Sequence, residues 1–178
     1  MTAIVALVEN GVVWMGGDSA AVSSDYSLTI RRDEKVFVNG GILIGYTSSF
    51  RMGQLLRYSF QPPQQPEGQC DVEYMNTAFI EAVRVCLRNG GYATNTNGNE
   101  AGGKFLVGYR GCVYQVEADF QVALSYDSYA ACGCGGDVCL GSLYSTQGQQ
   151  PEQRIRQALE AAEHHSGGVR GPFVIRNM

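Results

Sequence analysis

The chain has 178 residues, 44% of them hydrophobic and 17% charged, a balance that excludes a disordered tail or a coiled coil and points to one globular domain. At this length roughly 70% of the unfolded surface can be buried, so a full core can form without disulfide or metal support. A net charge of -4 leaves no basic stripe to neutralise phosphates, which argues against nucleic acid as the main partner.

The opening run, Thr2 to Val8, has no basic flank and is too short for a signal peptide or a membrane span, so the expectation is a soluble, cytoplasmic chain. Asn10-Gly11 is a two-residue hairpin signal between this run and the apolar Val12 to Met15. Gly16-Gly17-Asp18 closes the hairpin. The polar segment Ser19 to Asp33 reads as a connection. Lys35 to Val38, Asn39-Gly40-Gly41 and Ile42 to Gly45 form a second hairpin. Ser48 is placed to cap a helix that carries Met52, Leu55, Leu56 and Phe60 on one side. Gln61 to Gln69, holding three of the five prolines, is a loop.

From Asp71, the residues Tyr74, Phe79, Ile80, Val83 and Leu87 recur at helical spacing until Asn89-Gly90-Gly91 ends the pattern. Thr94 to Gly103 reads as a small-residue loop. Phe105 to Tyr109 and Val113 to Val116 flank Arg110-Gly111 in a third hairpin, and Tyr129 to Cys132 forms a further strand. Gly133 to Gly136 delivers Asp137 to a helix start. A last helix starts near Pro151, carries Ile155, Leu159 and Ala162, ends at Ser166-Gly167-Gly168, and precedes a strand from Phe173 to Ile175. Strands in hairpins and helices in pairs point to two antiparallel sheets with helices outside, a four-layer αββα sandwich of the α+β class spanning residues 1–178.

Six cysteines in a chain without a secretion signal are expected as free thiols. Cys70, Cys86 and Cys112 sit in apolar or strand-like contexts, where cysteine acts as a small hydrophobe. Cys132, Cys134 and Cys139 are crowded, with His164 and His165 further on. This cluster lacks the paired Cys-x-x-Cys knuckles of a structural zinc site, so no metal and no cofactor is expected.

Thr2-Ala-Ile-Val-Ala-Leu-Val, Asn10-Gly11, Gly17-Asp18-Ser19, Lys35-Val36 and Gly45 together resemble the N-terminal third of proteasome β-subunits and the related bacterial protease subunit that pairs with an unfoldase. Gly133-Cys134-Gly135 is similar to that family's Gly-Ser-Gly turn, and Glu163-His-His-Ser166-Gly167 to its Asp-x-x-Ser-Gly. The resemblance covers essentially the whole chain. It implies an N-terminal nucleophile hydrolase, a threonine peptidase with Thr2 exposed by removal of Met1.

Each role then has a chemical reason. A threonine hydroxyl needs a base, and a free α-amino group with a pKa near 8 is a base tethered to the same residue. The resemblance places Lys35 beside the nucleophile, where its charge favours loss of the hydroxyl proton, and Asp18 pairs with Lys35. The N–H of Ser48 or Ser49, where the family has its oxyanion-hole glycine, holds the developing negative charge. Cys134, Glu163 and Ser166 complete the network around the amine. Ala21, Phe37, Thr47 and Arg51 are expected to line the first substrate pocket. Val22 stands where many relatives keep a substrate-holding threonine, and Ala20 replaces a common arginine.

The resemblance also implies a homo-oligomeric ring or spiral that confines the sites, with an ATPase or unfoldase as a further partner and peptide or unfolded protein as substrate. The helices Ser48 to Phe60 and Asp71 to Asn89 would supply its contacts, and intramolecular core is the competing use of their apolar stripes. Three alternatives stand beside the peptidase. One is an assembly or binding protein whose site has decayed at Cys134, Glu163 and Ser48-Ser49; another is an amidase acting on a small acylated molecule. The third, a Cys/His metal domain, requires Cys132, Cys134, Cys139 and a histidine to converge.

Overall fold

A computed structural model describes all residues from Met1 to Met178. In chain order the elements are β1 (Ala3–Glu9), β2 (Val12–Gly17), β3 (Ala20–Val22), β4 (Leu28–Ile30), β5 (Val36–Asn39), β6 (Ile42–Tyr46), α1 (Phe50–Tyr58) and α2 (Asp71–Tyr74). A π-helical stretch (Met75–Phe79) joins α2 to α3 (Ile80–Asn89). Then come β7 (Thr94–Thr96), β8 (Asn99–Ala101), β9 (Phe105–Tyr109), β10 (Cys112–Val116), β11 (Val122–Leu124), β12 (Tyr129–Gly133), α4 (Gly136–Ser145), α5 (Pro151–His165) and β13 (Val174–Asn177).

Two antiparallel sheets dominate, ordered β12-β1-β2-β13 and β11-β10-β9-β6-β5. The period-2 alternation of β1 shows why they stack. Ile4 and Ala6 face the second sheet, in a core shared with Val13, Met15, Val36, Leu43, Leu106 and Cys132. Ala3, Val5 and Leu7 face the other way, against Cys139 and Leu143 of α4 and Ile155, Ala158, Leu159 and Ala162 of α5. The far side of the second sheet, with Phe37, Ile44, Phe105 and Val107, packs on Met52, Leu55 and Leu56 of α1 and on Met75, Phe79, Val83 and Leu87. These layers are helices, sheet, sheet, helices, the αββα sandwich expected from the order of elements.

The apolar stripes of α1 and of the α2–α3 run are therefore spent on the chain's own core, and only Tyr58, Val72 and Val85 remain as exposed large hydrophobics along them. Two short hairpins depart from the sequence reading. Within the segments read as loops, β3 pairs with β4 and β7 with β8. Their residues are mostly exposed, so no hydrophobic alternation marks them. Ser49, not Ser48, caps α1: its side chain accepts a hydrogen bond from the Arg51 N–H. Phe60 lies past the helix end yet stays in the core. Cys70 is exposed at the N-cap of α2, so it is not a buried small hydrophobe, and all six cysteines are free thiols.

Candidate active site

Both sheets contribute to one point. Thr2 leads into β1 and Asp18 follows β2 in the first sheet, while Lys35 immediately precedes β5 in the second. All three are buried, with relative exposures of 4%, 1% and 2%. Lys35 Nζ donates to Thr2 Oγ1 at 2.8 Å, to Asp18 Oδ1 at 2.8 Å and to the Ala20 carbonyl at 2.7 Å, using its three protons. Asp18 is fixed in turn by the backbone N–H groups of Ala3 (3.1 Å), Ala20 (2.9 Å) and Arg170 (3.3 Å). Burial pulls the Lys35 ammonium below the ordinary lysine range, and the Asp18 carboxylate opposes that pull. We take the pair as charged, because an uncompensated carboxylate would otherwise remain in the interior.

On the other flank, Cys134 is the partner of the Thr2 nitrogen, whose N–H donates to Sγ at 3.2 Å. Ser166 Oγ is 3.3 Å from the same sulfur, so Thr2, Cys134 and Ser166 form a chain. Gly133 makes this approach possible. It adopts φ +95, and a Cβ there would lie 2.2 Å from the Thr2 carbonyl oxygen, a contact only glycine avoids. With Met1 attached, the Thr2 hydroxyl donates to the Met1 carbonyl and the Thr2 nitrogen is an amide.

Glu163 does not join that network. Its carboxylate accepts from the Gly171 N–H at 3.0 Å and faces Arg170 at 3.8 Å. It braces the segment after α5, and the Arg170 N–H of that segment reaches Asp18. The added methylene relative to aspartate accompanies this different use. The serine pair also divides. Ser49 N–H is engaged with the Thr47 carbonyl at 2.7 Å across a γ-turn centred on Ser48, which holds φ 67. Ser48 N–H has no partner in the protein and Ser48 lines a cavity that Thr2 also lines, so of the two serine N–H groups that of Ser48 remains free.

That cavity, about 230 Å³, runs between the β3–β4 hairpin and the Tyr46–Phe50 turn. Ala21 and Thr47 lie on its wall. Phe37 does not: it is 2% exposed and belongs to the core between the second sheet and α1. Arg51 points away, exposed and bonded to the Gly90 carbonyl at 3.2 Å. Phe50 and Tyr46, unanticipated from sequence, take their place, and Arg31 covers the Phe50 ring at 4.0 Å. A second cavity of about 550 Å³ lies on the other side of Thr2, walled by Cys134, Asp137, Lys104 and Gln115.

The cysteine cluster disperses. Cys132 faces the space between the sheets, Cys139 faces the helix layer, and burial raises both thiols, Cys139 to about 12. No three His, Cys, Asp or Glu side chains come together to hold an ion, so the metal-domain alternative lacks its required convergence.

No family model matches the chain, and no curated protein matches it. Solved structures do. Thiobacillus denitrificans BPH superposes with a TM-score of 0.79 at 18% identity over 99% of this chain and 97% of that one. The same protein in complex with epoxomicin gives 0.78 at 18% identity, covering 99% and 98% of the two chains. Eukaryotic HslV from Trypanosoma brucei gives 0.69 at 14% identity over 99% and 98%, and Anbu (ancestral beta-subunit) from Yersinia bercovieri 0.68 at 13% over 99% and 81%. What is shared at such identities is architecture. Over its whole length, the chain has the proteasome-like N-terminal nucleophile hydrolase fold of these subunits.

Proposed function

We propose that the chain is a threonine peptidase subunit in which Thr2 becomes the nucleophile once Met1 is removed. The observation that carries this reading is the buried contact of Lys35 Nζ with Thr2 Oγ1 at 2.8 Å, with Asp18 behind it. A surface lysine gains nothing from such a place. Holding an ammonium in the interior against a neutral hydroxyl has a chemical use when that hydroxyl must lose its proton.

The reaction follows from the geometry. Thr2 Oγ1 attacks the substrate carbonyl carbon as its proton passes to the freed Thr2 amine, directly or through water. The Lys35 charge stabilises the alkoxide character of Oγ1, and the free Ser48 N–H receives the carbonyl oxygen as it becomes anionic. Collapse breaks the peptide bond, the amine returns the proton to the leaving nitrogen, and an ester remains on Oγ1. Water, activated by the same amine, hydrolyses that ester. Cys134 and Ser166 orient the amine.

Peptide is favoured over a small acylated molecule by the β3 edge. Arg31 N–H bonds the Ser19 carbonyl and Ser23 N–H bonds the Ser27 carbonyl. Bonded and non-bonded pairs alternate in an antiparallel ladder, so Ala21 and Thr29 form the bonded pair between them, while Val22 opposite Leu28 is non-bonded. The N–H and C=O of Val22 therefore face outward beside Thr2, where an extended substrate can add as a strand. Assembly into a homo-oligomeric ring or spiral, a cytoplasmic location and a feeding ATPase belong to the same proposal.

Epoxomicin, bound by the similar BPH, provides the test. Intact mass should show Met1 absent and a covalent adduct on wild type but not on Thr2→Ala. Fully processed protein that resists epoxomicin while BPH is labelled in parallel refutes the enzyme reading and favours an inactive assembly subunit.

A further inference from the structure

Resting on that reading, we propose that Thr47 is a positioning residue: its hydroxyl locks the Thr47–Ser48 peptide with the Ser48 N–H directed into the site, and so sets the donor that receives the oxyanion. The resemblance gave Thr47 a place in the substrate pocket. It is only 4% exposed, however, and its polar atoms are all engaged within the protein.

Thr47 and Ser48 line both cavities that flank Thr2, so the peptide bond between them lies at their junction. Ser48 holds φ 67, a left-handed backbone that glycine takes freely and other residues take at a cost. A serine at this place therefore needs a brace.

The neighbouring sheet provides it. Past the last β6–β9 pair, Tyr46 with Phe105, the ladder runs on through the Thr47 N–H, which donates to the Lys104 carbonyl at 3.1 Å. Thr47 Oγ1 donates to the same carbonyl at 3.0 Å and lies 3.0 Å from Ser48 Oγ. A hydroxyl has one proton. Because Thr47 gives its proton to Lys104, Ser48 must be the donor in the second contact, and Thr47 Oγ1 accepts from it. One oxygen thus ties the Ser48 side chain to the edge of a rigid sheet, across the peptide that carries the free N–H. The Ser49 N–H, on the Thr47 carbonyl at 2.7 Å, closes the same turn. The methyl branch of Thr47 rests on the turn before Cys134: a Cβ on Gly133 would come 3.3 Å from Thr47 Cγ2.

Without the hydroxyl, rotation of the peptide plane returns Ser48 to negative φ and puts the Thr47 carbonyl where its N–H had been. An acceptor would then face the developing oxyanion in place of a donor. A substrate strand laid along Val22 is untouched by that rotation, so the loss falls on kcat and not on KM.

The test uses full-length protein whose mass shows Met1 removed, a fluorogenic peptide, and epoxomicin labelling as the measure of the peptidase itself. Thr47→Val keeps the shape and deletes the hydroxyl. Its kcat should fall by on the order of tenfold or more with KM within about twofold, part of the roughly 10²–10³ that outright loss of an oxyanion donor costs. Thr47→Ser keeps the hydroxyl and should hold kcat to within about threefold. In a Ser48→Gly background, where φ 67 needs no brace, Thr47→Val should cost less than about threefold. A wild-type kcat in Thr47→Val, an equal loss in Thr47→Ser, or an undiminished loss in the Ser48→Gly background overturns this inference while the peptidase reading stands. So does a Thr47→Val protein that melts more than about 10 °C below wild type, because the hydroxyl then serves the fold. Wild type that neither labels nor cleaves removes both.

Discussion

The ion pair under Thr2 yields a quantitative expectation for stability that is separable from catalysis. Replacing Asp18 by Asn leaves the Lys35 ammonium, 2% exposed, with neutral acceptors only and no counter-ion. Replacing Lys35 by Met leaves the Asp18 carboxylate facing three backbone N–H groups and no counter-ion. Breaking a buried pair from one side costs about 3–5 kcal/mol. For a chain of this size each kcal/mol moves Tm by about 2–4 °C, so each single variant should melt roughly 6–20 °C below wild type. The double variant removes both charges together and should recover most of the loss, giving a coupling of about 3 kcal/mol or more. Urea unfolding followed by circular dichroism, with calorimetry in parallel, measures the cycle. Single-variant losses that add to within about 0.5 kcal/mol would refute the reasoning, because they would mean that the two groups do not sense each other in the folded state. Activity offers no such rescue: Lys35→Met and the double variant lack the ammonium beside Oγ1 and should be inactive, and Asp18→Asn lacks the carboxylate that keeps that ammonium charged and in place, so it should be impaired as well.

Two further outcomes follow from the same site. Cys134→Ser replaces a weak sulfur acceptor 3.2 Å from the Thr2 nitrogen with a hydroxyl; a hydrogen bond gained at about 0.5–1.5 kcal/mol should raise kcat by about 2–10-fold, whereas Cys134→Ala should lower it. The pH profile of kcat/KM should be bell-shaped, rising as the Thr2 amine loses its proton near or below pH 8 and falling as Lys35 loses its own. Burial draws that second limb below the ordinary lysine value of 10.5, so activity still climbing beyond that pH would contradict the role given to Lys35.

Local chemistry made much of the fold legible. Asn10-Gly11 and Arg110-Gly111 sit at hairpin turns with positive φ, and the spacing of Phe79, Val83 and Leu87 marks a helix that buries one face. What failed had no such local signature. The strands of the β3–β4 hairpin are three residues each, and Leu28 and Ile30 of β4 are exposed instead of packed into the core, so no buried-face alternation marks their pairing. Phe37 was expected in the substrate pocket by correspondence with relatives, yet strand alternation decides the matter: Val36 faces the space between the sheets, so Phe37 must face the helices. Glu163 was placed around the amine by correspondence with relatives, yet its carboxylate accepts from the Gly171 N–H in the turn after α5, a contact that residue types do not reveal. The divergence of Ser48 from Ser49 depends on one γ-turn, a backbone event invisible in residue types.

Nucleophile, carboxylate and thiol stand on one sheet, whereas the ammonium and the free Ser48 N–H stand on the other. The chemistry is therefore a vernier for how the two sheets sit on each other. A slip along the strand direction by one residue, about 3.3 Å, would exceed the 2.8 Å reach of Lys35 to Thr2 while leaving each sheet's own hydrogen bonds intact. Turnover would then vanish before any change in secondary structure could be detected. Substitutions at Met15 or Leu43, buried between the layers and on the wall of neither cavity beside Thr2, thus become control points of rate as much as of stability.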